Sequence, residues 1–239
     1  MTTTALFVTC LVDQFFPSVG EAAVELLEEA GCRVDFPEAQ TCCGQPVFNS
    51  GYREEARPLA RRMVEIFEPY DAVVSLSGSC ASMLRVFTPR LFENEPRWRE
   101  RASALGKRTF ELSEFLAARE FRPRARFEGR VAYHPSCHLL RELGVDRAPR
   151  ALLSRVGGLE LVELADAESC CGFGGTFSVK FPELSSAILD DKLLAVAESG
   201  AEVLAASDVG CIMQMRGGLA RRGSRVRVLH VAELLAGHA

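Results

Sequence analysis

The sequence predicts an α/β protein of two similar halves, each a small parallel sheet flanked by helices. Short apolar, β-branched runs alternate with helix-spaced apolar stripes along the chain, the arrangement that gives parallel strands covered on both faces. One cysteine pattern occurs twice: Cys10, Cys42-Cys43-Gly44 and Cys80, then Cys137, Cys170-Cys171-Gly172 and Cys211. Cys42 lies 32 residues after Cys10 and Cys170 lies 33 after Cys137, while Cys80 lies 37 after Cys43 and Cys211 lies 40 after Cys171. Each of these cysteines follows the end of a predicted strand, the edge where parallel sheets gather their ligands. The repeats are placed at residues 1–125 and 126–239, each Rossmann-like with its cysteine loops at strand carboxyl ends.

The elements follow in order. Thr4 to Cys10 reads as a strand, and Ala23, Leu26, Leu27 and Ala30 follow at helical spacing before Gly31 as a stop. Arg33 to Pro37 reads as a second strand that enters Thr41-Cys42-Cys43-Gly44. Tyr52 to Phe67 reads as a helix with an arginine-rich outer face. Ala72 to Leu76 is a third strand entering Ser77-Gly78-Ser79-Cys80, with a helix starting near Cys80. Thr109 to Leu112 is a shorter strand before a helix from Ser113, and Phe121 to Gly129, with Pro123 and many charges, reads as the connector. The second half replays this order. Arg130 to Tyr133, Leu159 to Leu164, Val203 to Ala206 and Arg225 to His230 read as strands. Ala151 to Val156, Pro182 to Ser199 and Val231 to Ala236 read as helices.

Composition narrows the function classes. The chain has 239 residues, 48% of them hydrophobic, enough for one large core or two small ones. A net charge of −4 supplies no basic field for nucleic acid. No apolar run of about 18 residues predicts a membrane span, and Met1 to Cys10 lacks the pattern of a secretory leader. A cytoplasmic address is therefore expected, where thiols stay reduced. Nine cysteines also fit a disulfide framework poorly, and Cys32, outside the pattern, reads as a small buried hydrophobe.

Four converging thiolates suit an iron–sulfur cluster or a zinc ion. Neighbouring Cα atoms are about 3.8 Å apart, below the roughly 4.4–6.8 Å a disulfide prefers, so each Cys-Cys pair favours metal ligation. Both side chains reach one site only where the backbone turns, and Gly44 and Gly172 permit that turn. Cys10, Cys42, Cys43 and Cys80 form one candidate ligand set, and Cys137, Cys170, Cys171 and Cys211 the other. Cys80 and Cys211 are best placed to receive helix N–H groups. His134 and His138 flank Cys137, where an imidazole can ligate, donate a hydrogen bond to sulfur, take up a proton, or simply bond a backbone carbonyl. Gly172, Gly174 and Gly175 form an incomplete dinucleotide fingerprint and read as a tight turn. Lys180 and Arg141 read as solvated surface. Two alternatives stay open: a zinc-stabilised interaction module, and a thiol–disulfide enzyme using Cys42-Cys43 or Cys170-Cys171.

These motifs resemble the cysteine-rich CCG-domain family, which includes the CCG-bearing component of heterodisulfide reductase and iron–sulfur subunits of glycolate, glycerol-3-phosphate and lactate oxidation. The resemblance covers nearly the whole chain and is strengthened by Tyr133-His134-Pro135-Ser136-Cys137-His138 followed by Leu140-Arg141-Glu142-Leu143-Gly144. No closely spaced Cys-x-x-Cys-x-x-Cys run marks an added ferredoxin-like segment, so the chain is most similar to the free-standing lactate-utilization branch. That resemblance implies an electron-transfer subunit with one 4Fe–4S cluster per repeat. It implies an oxidoreductase component that oxidises L-lactate to pyruvate only with partners: an iron–sulfur protein resembling lactate utilization protein B and an accessory protein resembling lactate utilization protein C. A CCG subunit of another 2-hydroxy acid or disulfide oxidoreductase is the neighbouring alternative. In the heterodisulfide reductase component a further cysteine follows the third at Cys-x-x-Cys spacing. Here Met83 and Gln214 hold those positions, which points away from its unusual clusters and toward a four-cysteine 4Fe–4S site, with Met83 in packing.

Overall fold

The computed structural model describes residues 3–239. Strands β1 (Thr3–Phe7), β2 (Arg33–Asp35), β3 (Ala72–Ser75) and β4 (Thr109–Glu111) form one sheet in the order β2-β1-β3-β4. Strands β5 (Arg126–His134), β6 (Gly157–Val162), β7 (Val203–Ala206) and β8 (Arg227–His230) form a second in the order β6-β5-β7-β8. Every pairing is parallel, and helices flank both sheets. The central strands are apolar without alternation because both faces are covered: Ala5 to Phe7, Val73, Val74 and the whole of β7 are buried.

Several boundaries differ from those read in the sequence. β1 stops at Phe7 because Thr9, in extended conformation, opens a helix at Cys10–Phe15. β2 spans only three residues and ends before Pro37, which has no N–H to donate to a ladder. The expected connector Phe121 to Gly129 is strand in its second part: β5 begins at Arg126, with a register shift between Arg126 and Gly129. Its charges are the exposed side chains of a strand reaching past the buried sheet, and Arg126 pairs there with Glu128 at 2.8 Å. The helix Pro96–Lys107 was not anticipated, its apolar residues being few among arginines. The helix expected near Cys80 is Gly78–Ser82, which widens into a π turn at Met83–Phe87; a second π turn, His138–Glu142, follows Cys137.

The halves share a core. Leu112, Phe115 and Leu116 pack with Leu152 and Leu153, and the helix Val231–Ala236 lies against the helix Pro17–Glu29 of the first half. Near the sheet edges the contact becomes polar. Gly78 N–H donates to the Ser207 carbonyl at 3.2 Å, and His230 donates from Nε2 to the Leu76 carbonyl at 3.1 Å while its Nδ1 accepts from Ala232 N–H. A Cβ on Gly78 would stand 2.6 Å from Leu139 Cβ, so glycine lets the helix Gly78–Ser82 meet the π turn His138–Glu142.

Glu111 occupies in the first sheet the register position that His230 occupies in the second. Both cap the helix that follows. Glu111 accepts from Ser113 N–H at 2.9 Å and from the Ser113 hydroxyl, but its Oε1 has no partner among the described residues. Burial outweighs those bonds and pushes the carboxyl up to about 7. A carboxyl held above its unfolded value contributes fully to stability below pH about 4.5, and the contribution disappears as pH rises toward 7. Glu111→Gln is therefore expected to gain roughly 1–3 kcal/mol relative to wild type on going from pH 5 to pH 8. Denaturant melts at both pH values measure this, and an identical difference at each pH contradicts it.

Candidate metal centres

The parallel topology sends all eight motif cysteines to the carboxyl edges of their sheets. In the first half Cys10 opens the helix after β1, Cys42 and Cys43 lie on the loop leaving β2, and Cys80 sits in the first turn after β3. Cys137, Cys170, Cys171 and Cys211 repeat this after β5, β6 and β7. Gly44 and Gly172 both adopt φ +84°, the left-handed turn that folds each Cys-Cys pair back onto the site.

Within each half the sulfurs meet as a row. Cys43 and Cys80 lie 3.3 Å apart between sulfurs, and Cys42 sits between Cys10 and Cys43, close enough to alter the titration of both. Cys137, Cys170, Cys171 and Cys211 form the matching row. Cys42 accepts from Cys10 and Cys43, and Cys170 from Cys137 and Cys171, which draws both well below the ordinary thiol range; the donors are pushed up. Gly172 N–H adds a bond to Cys170 Sγ at 3.3 Å. All nine cysteines are free thiols, and Cys32 lies buried in the core away from either row.

The two rows border a single open cavity of about 300 Å³, lined also by Phe173, Val179, Gln45 and His138 among others. Asp208 ties its walls together. One carboxylate oxygen accepts from Ser77 Oγ at 2.8 Å and Ser79 N–H at 3.0 Å, and the other caps its own helix through Gly210 N–H at 3.1 Å.

His134 and His138 take different places. His134 is fully buried, neither ring nitrogen has a partner among the described residues, and one nitrogen lies within 4.8 Å of the Cys171 and Cys211 sulfurs. Burial holds it neutral, with its pKa lowered to about 3. His138 is half-buried, its Nδ1 is 3.6 Å from Cys137 Sγ, and its ring meets Phe87 edge-on. Met83 is packing in the first-half core, and Gln214 donates to Ser185 Oγ at 3.0 Å, which in turn holds the Gly172 carbonyl at 2.8 Å. Lys180 is exposed and Arg141 donates to the Glu168 carbonyl.

Sequence reading missed Lys192. Its side chain is buried, donating 3.0 Å bonds to the carbonyls of Asp166 and Ala167. Burial lowers its pKa, while the nearby thiols, Cys171 foremost, favour its charged form. The signal was present: Ser185, Leu189, Lys192 and Val196 fall on one helical stripe, where a lysine is out of character. Four sulfurs with a backbone N–H donor, an unpartnered imidazole and an adjoining cavity make a donor set that fits a soft, thiolate-binding metal group.

Comparison with known proteins places these features. A family model described as a cysteine-rich domain (CCG) matches residues 4–85 and again 131–216. The chain is 49% identical over 239 residues to "Lactate utilization protein A" of an Exiguobacterium strain, covering 98% of this chain and 97% of that protein. It is 48% identical over 235 residues to the protein of that name from Bacillus subtilis, covering 97% and 98%. A solved structure of a hypothetical protein from Helicobacter pylori shares the fold at TM-score 0.59 and 12% identity, covering 98% of this chain, which spans 48% of that one.

The two glycine turns separate conformation from crowding. A Cβ on Gly172 would lie 2.4 Å from the Ser185 carbonyl oxygen, whereas one on Gly44 meets nothing nearer than 3.5 Å. Gly44→Ala is expected to cost about 1–2 kcal/mol of stability for its left-handed φ alone, and Gly172→Ala roughly 1–3 kcal/mol more. Equal losses in chemical denaturation would contradict the difference.

Proposed function

The chain belongs to the cysteine-rich CCG-domain family, and from that premise we propose that it is the iron–sulfur electron-transfer subunit of a system that oxidises L-lactate to pyruvate. The observation that carries this reading is the pair of four-sulfur rows bordering one cavity. The repeats, taken as 1–125 and 126–239, each contribute one centre. Cys10, Cys42, Cys43 and Cys80 would hold the first group, and Cys137, Cys170, Cys171 and Cys211 the second. Bound there, a 4Fe–4S cluster supplies reversible one-electron storage.

The chain's own residues do the rest. Gly172 N–H donates to the Cys170 sulfur, which favours the thiolate form and would offset cluster charge. Phe173 and Val179 add apolar lining to the cavity. The reading includes partners, an iron–sulfur protein resembling lactate utilization protein B and an accessory protein resembling lactate utilization protein C, with which this chain would exchange electrons. A cytoplasmic location belongs to the same reading, because nine unpaired thiols suit a reducing compartment. No described helix is long and apolar enough to cross a membrane.

One observation favours a second reading. Tetrahedral zinc with Zn–S bonds of about 2.3 Å spaces its sulfurs by roughly 3.8 Å, close to the 3.3 Å between Cys43 and Cys80. The cavity beside the sulfurs argues for the larger group. Anaerobic purification with iron, sulfide and zinc assays decides. Iron with equimolar sulfide and a paramagnetic signal on reduction is expected, and C42S/C43S or C170S/C171S should each remove about half the iron. Zinc without sulfide would replace this proposal with the zinc-stabilised module.

A further inference from the structure

The two centres are built on equivalent positions, so the residues that differ between them are informative. His134 pairs with Ala206 at the end of β5, as Phe7 pairs with Ser75 at the end of β1. These two residues therefore hold the same position beneath their sulfur rows. The helix after each Cys-Cys-Gly loop gives a second match. Gly172 faces Ser185 and Gly44 faces Ala56, and seven residues further along lie Lys192 and Met63. All four side chains are fully buried. The first site thus has a phenyl ring and a thioether where the second has an imidazole and an ammonium.

The fold does not require the polar pair, since Phe7 and Met63 fill the same positions in the sister half. Burying a cation and an unpartnered imidazole opposes folding. Lys192 has three donors and spends two on the carbonyls of Asp166 and Ala167. His134 lies beside Cys171 and Cys211 with both nitrogens free of other bonds among the described residues.

We propose that His134 and Lys192 make the second-half centre the higher-potential one, so that the first electron added to the protein rests there. The inference rests on the reading that each half holds an iron–sulfur centre. Reduction adds one negative charge to a centre; a buried ammonium and an unpartnered imidazole beside the sulfurs stabilise that charge, and a phenyl ring and a thioether do not. The Asp208 carboxylate, which stands where the first half has Ser77, opposes that charge but is already taken up by three hydrogen bonds from Ser77, Ser79 and Gly210. In the half-reduced chain one electron leaves the first-half centre, which is oxidised, and enters the second, which is reduced. No bond is made or broken.

The test is an anaerobic redox titration of the full chain followed by electron paramagnetic resonance. C42S/C43S isolates the second centre and C170S/C171S the first, which assigns the signals. The second centre is expected to titrate higher by at least tenfold in the one-electron exchange equilibrium, ~59 mV. Lys192→Met and His134→Phe, which install the first-half residues, should each lower that potential and leave the other unmoved, while Lys192→Arg keeps it. A purely packing role would alter stability without moving the potential. The ordering in the unaltered chain decides even where a variant fails to fold. Two loaded centres of equal or inverted potential overturn this inference alone, whereas a chain that takes up no iron overturns the proposed function and this inference with it.

Discussion

All strands of a parallel sheet end on the same edge, and the convergence of distant cysteines depends on that constraint. Cys10, Cys43 and Cys80 are far apart in sequence, yet β1, β2 and β3 deliver them to one place because each crossover returns the chain in the same direction. The sheet core bears the cost of ordering the backbone, through fully buried strands such as Val203–Ala206. The loops beyond it are then free to carry sulfur, and only a left-handed turn at Gly44 or Gly172 is needed to aim both members of each Cys-Cys pair.

The same edge brings the two halves together. Asp208 sits where Ser77 sits in the sister sheet and accepts from the Ser77 hydroxyl and the Ser79 amide across the seam. Because the same carboxylate also caps its own helix, a shift of one half against the other would break several bonds at once. The shared cavity is therefore held by a buried polar seam as well as by the apolar contact of helices further from the edge. That arrangement keeps both sulfur rows on the lining of one cavity.

Much of this was readable in the residues. The duplicated Cys-Cys-Gly pattern marked both sites, and apolar runs such as Ala72 to Leu76 located the buried strands, because patterning there follows from burial on both faces. What was hidden depended on tertiary context. Arg126 to Gly129 carries strand geometry under a charged, glycine-containing sequence that reads as linker. The helix at Cys10–Phe15 is short and has no side-chain cap to announce it. The convergence of Lys192 on the second site follows from how one helix lies over the Cys-Cys-Gly loop, which spacing alone does not specify. Nothing in the sequence singles out Asp208, whose reach into the other half is a property of the packed pair of repeats.

Internal duplication provides its own control for deciding which polar residues serve function. Where the two halves agree, as at Gly44 and Gly172, the shared residue answers a demand of the common backbone. Where one half has an apolar residue and the other a charged or polar one in an equally buried position, the backbone demand is already met by the apolar choice. The polar choice then needs a local reason. For Glu111 and His230 the reason is visible, since both cap a helix and His230 also reaches the Leu76 carbonyl. For His134 no protein group among those described takes up either nitrogen, and the sulfurs of Cys171 and Cys211 lie beside it. Its counterpart Phe7 shows that a hydrocarbon suffices for packing there, so packing alone gives no account of the imidazole, and the nearest chemistry is that of the two sulfurs.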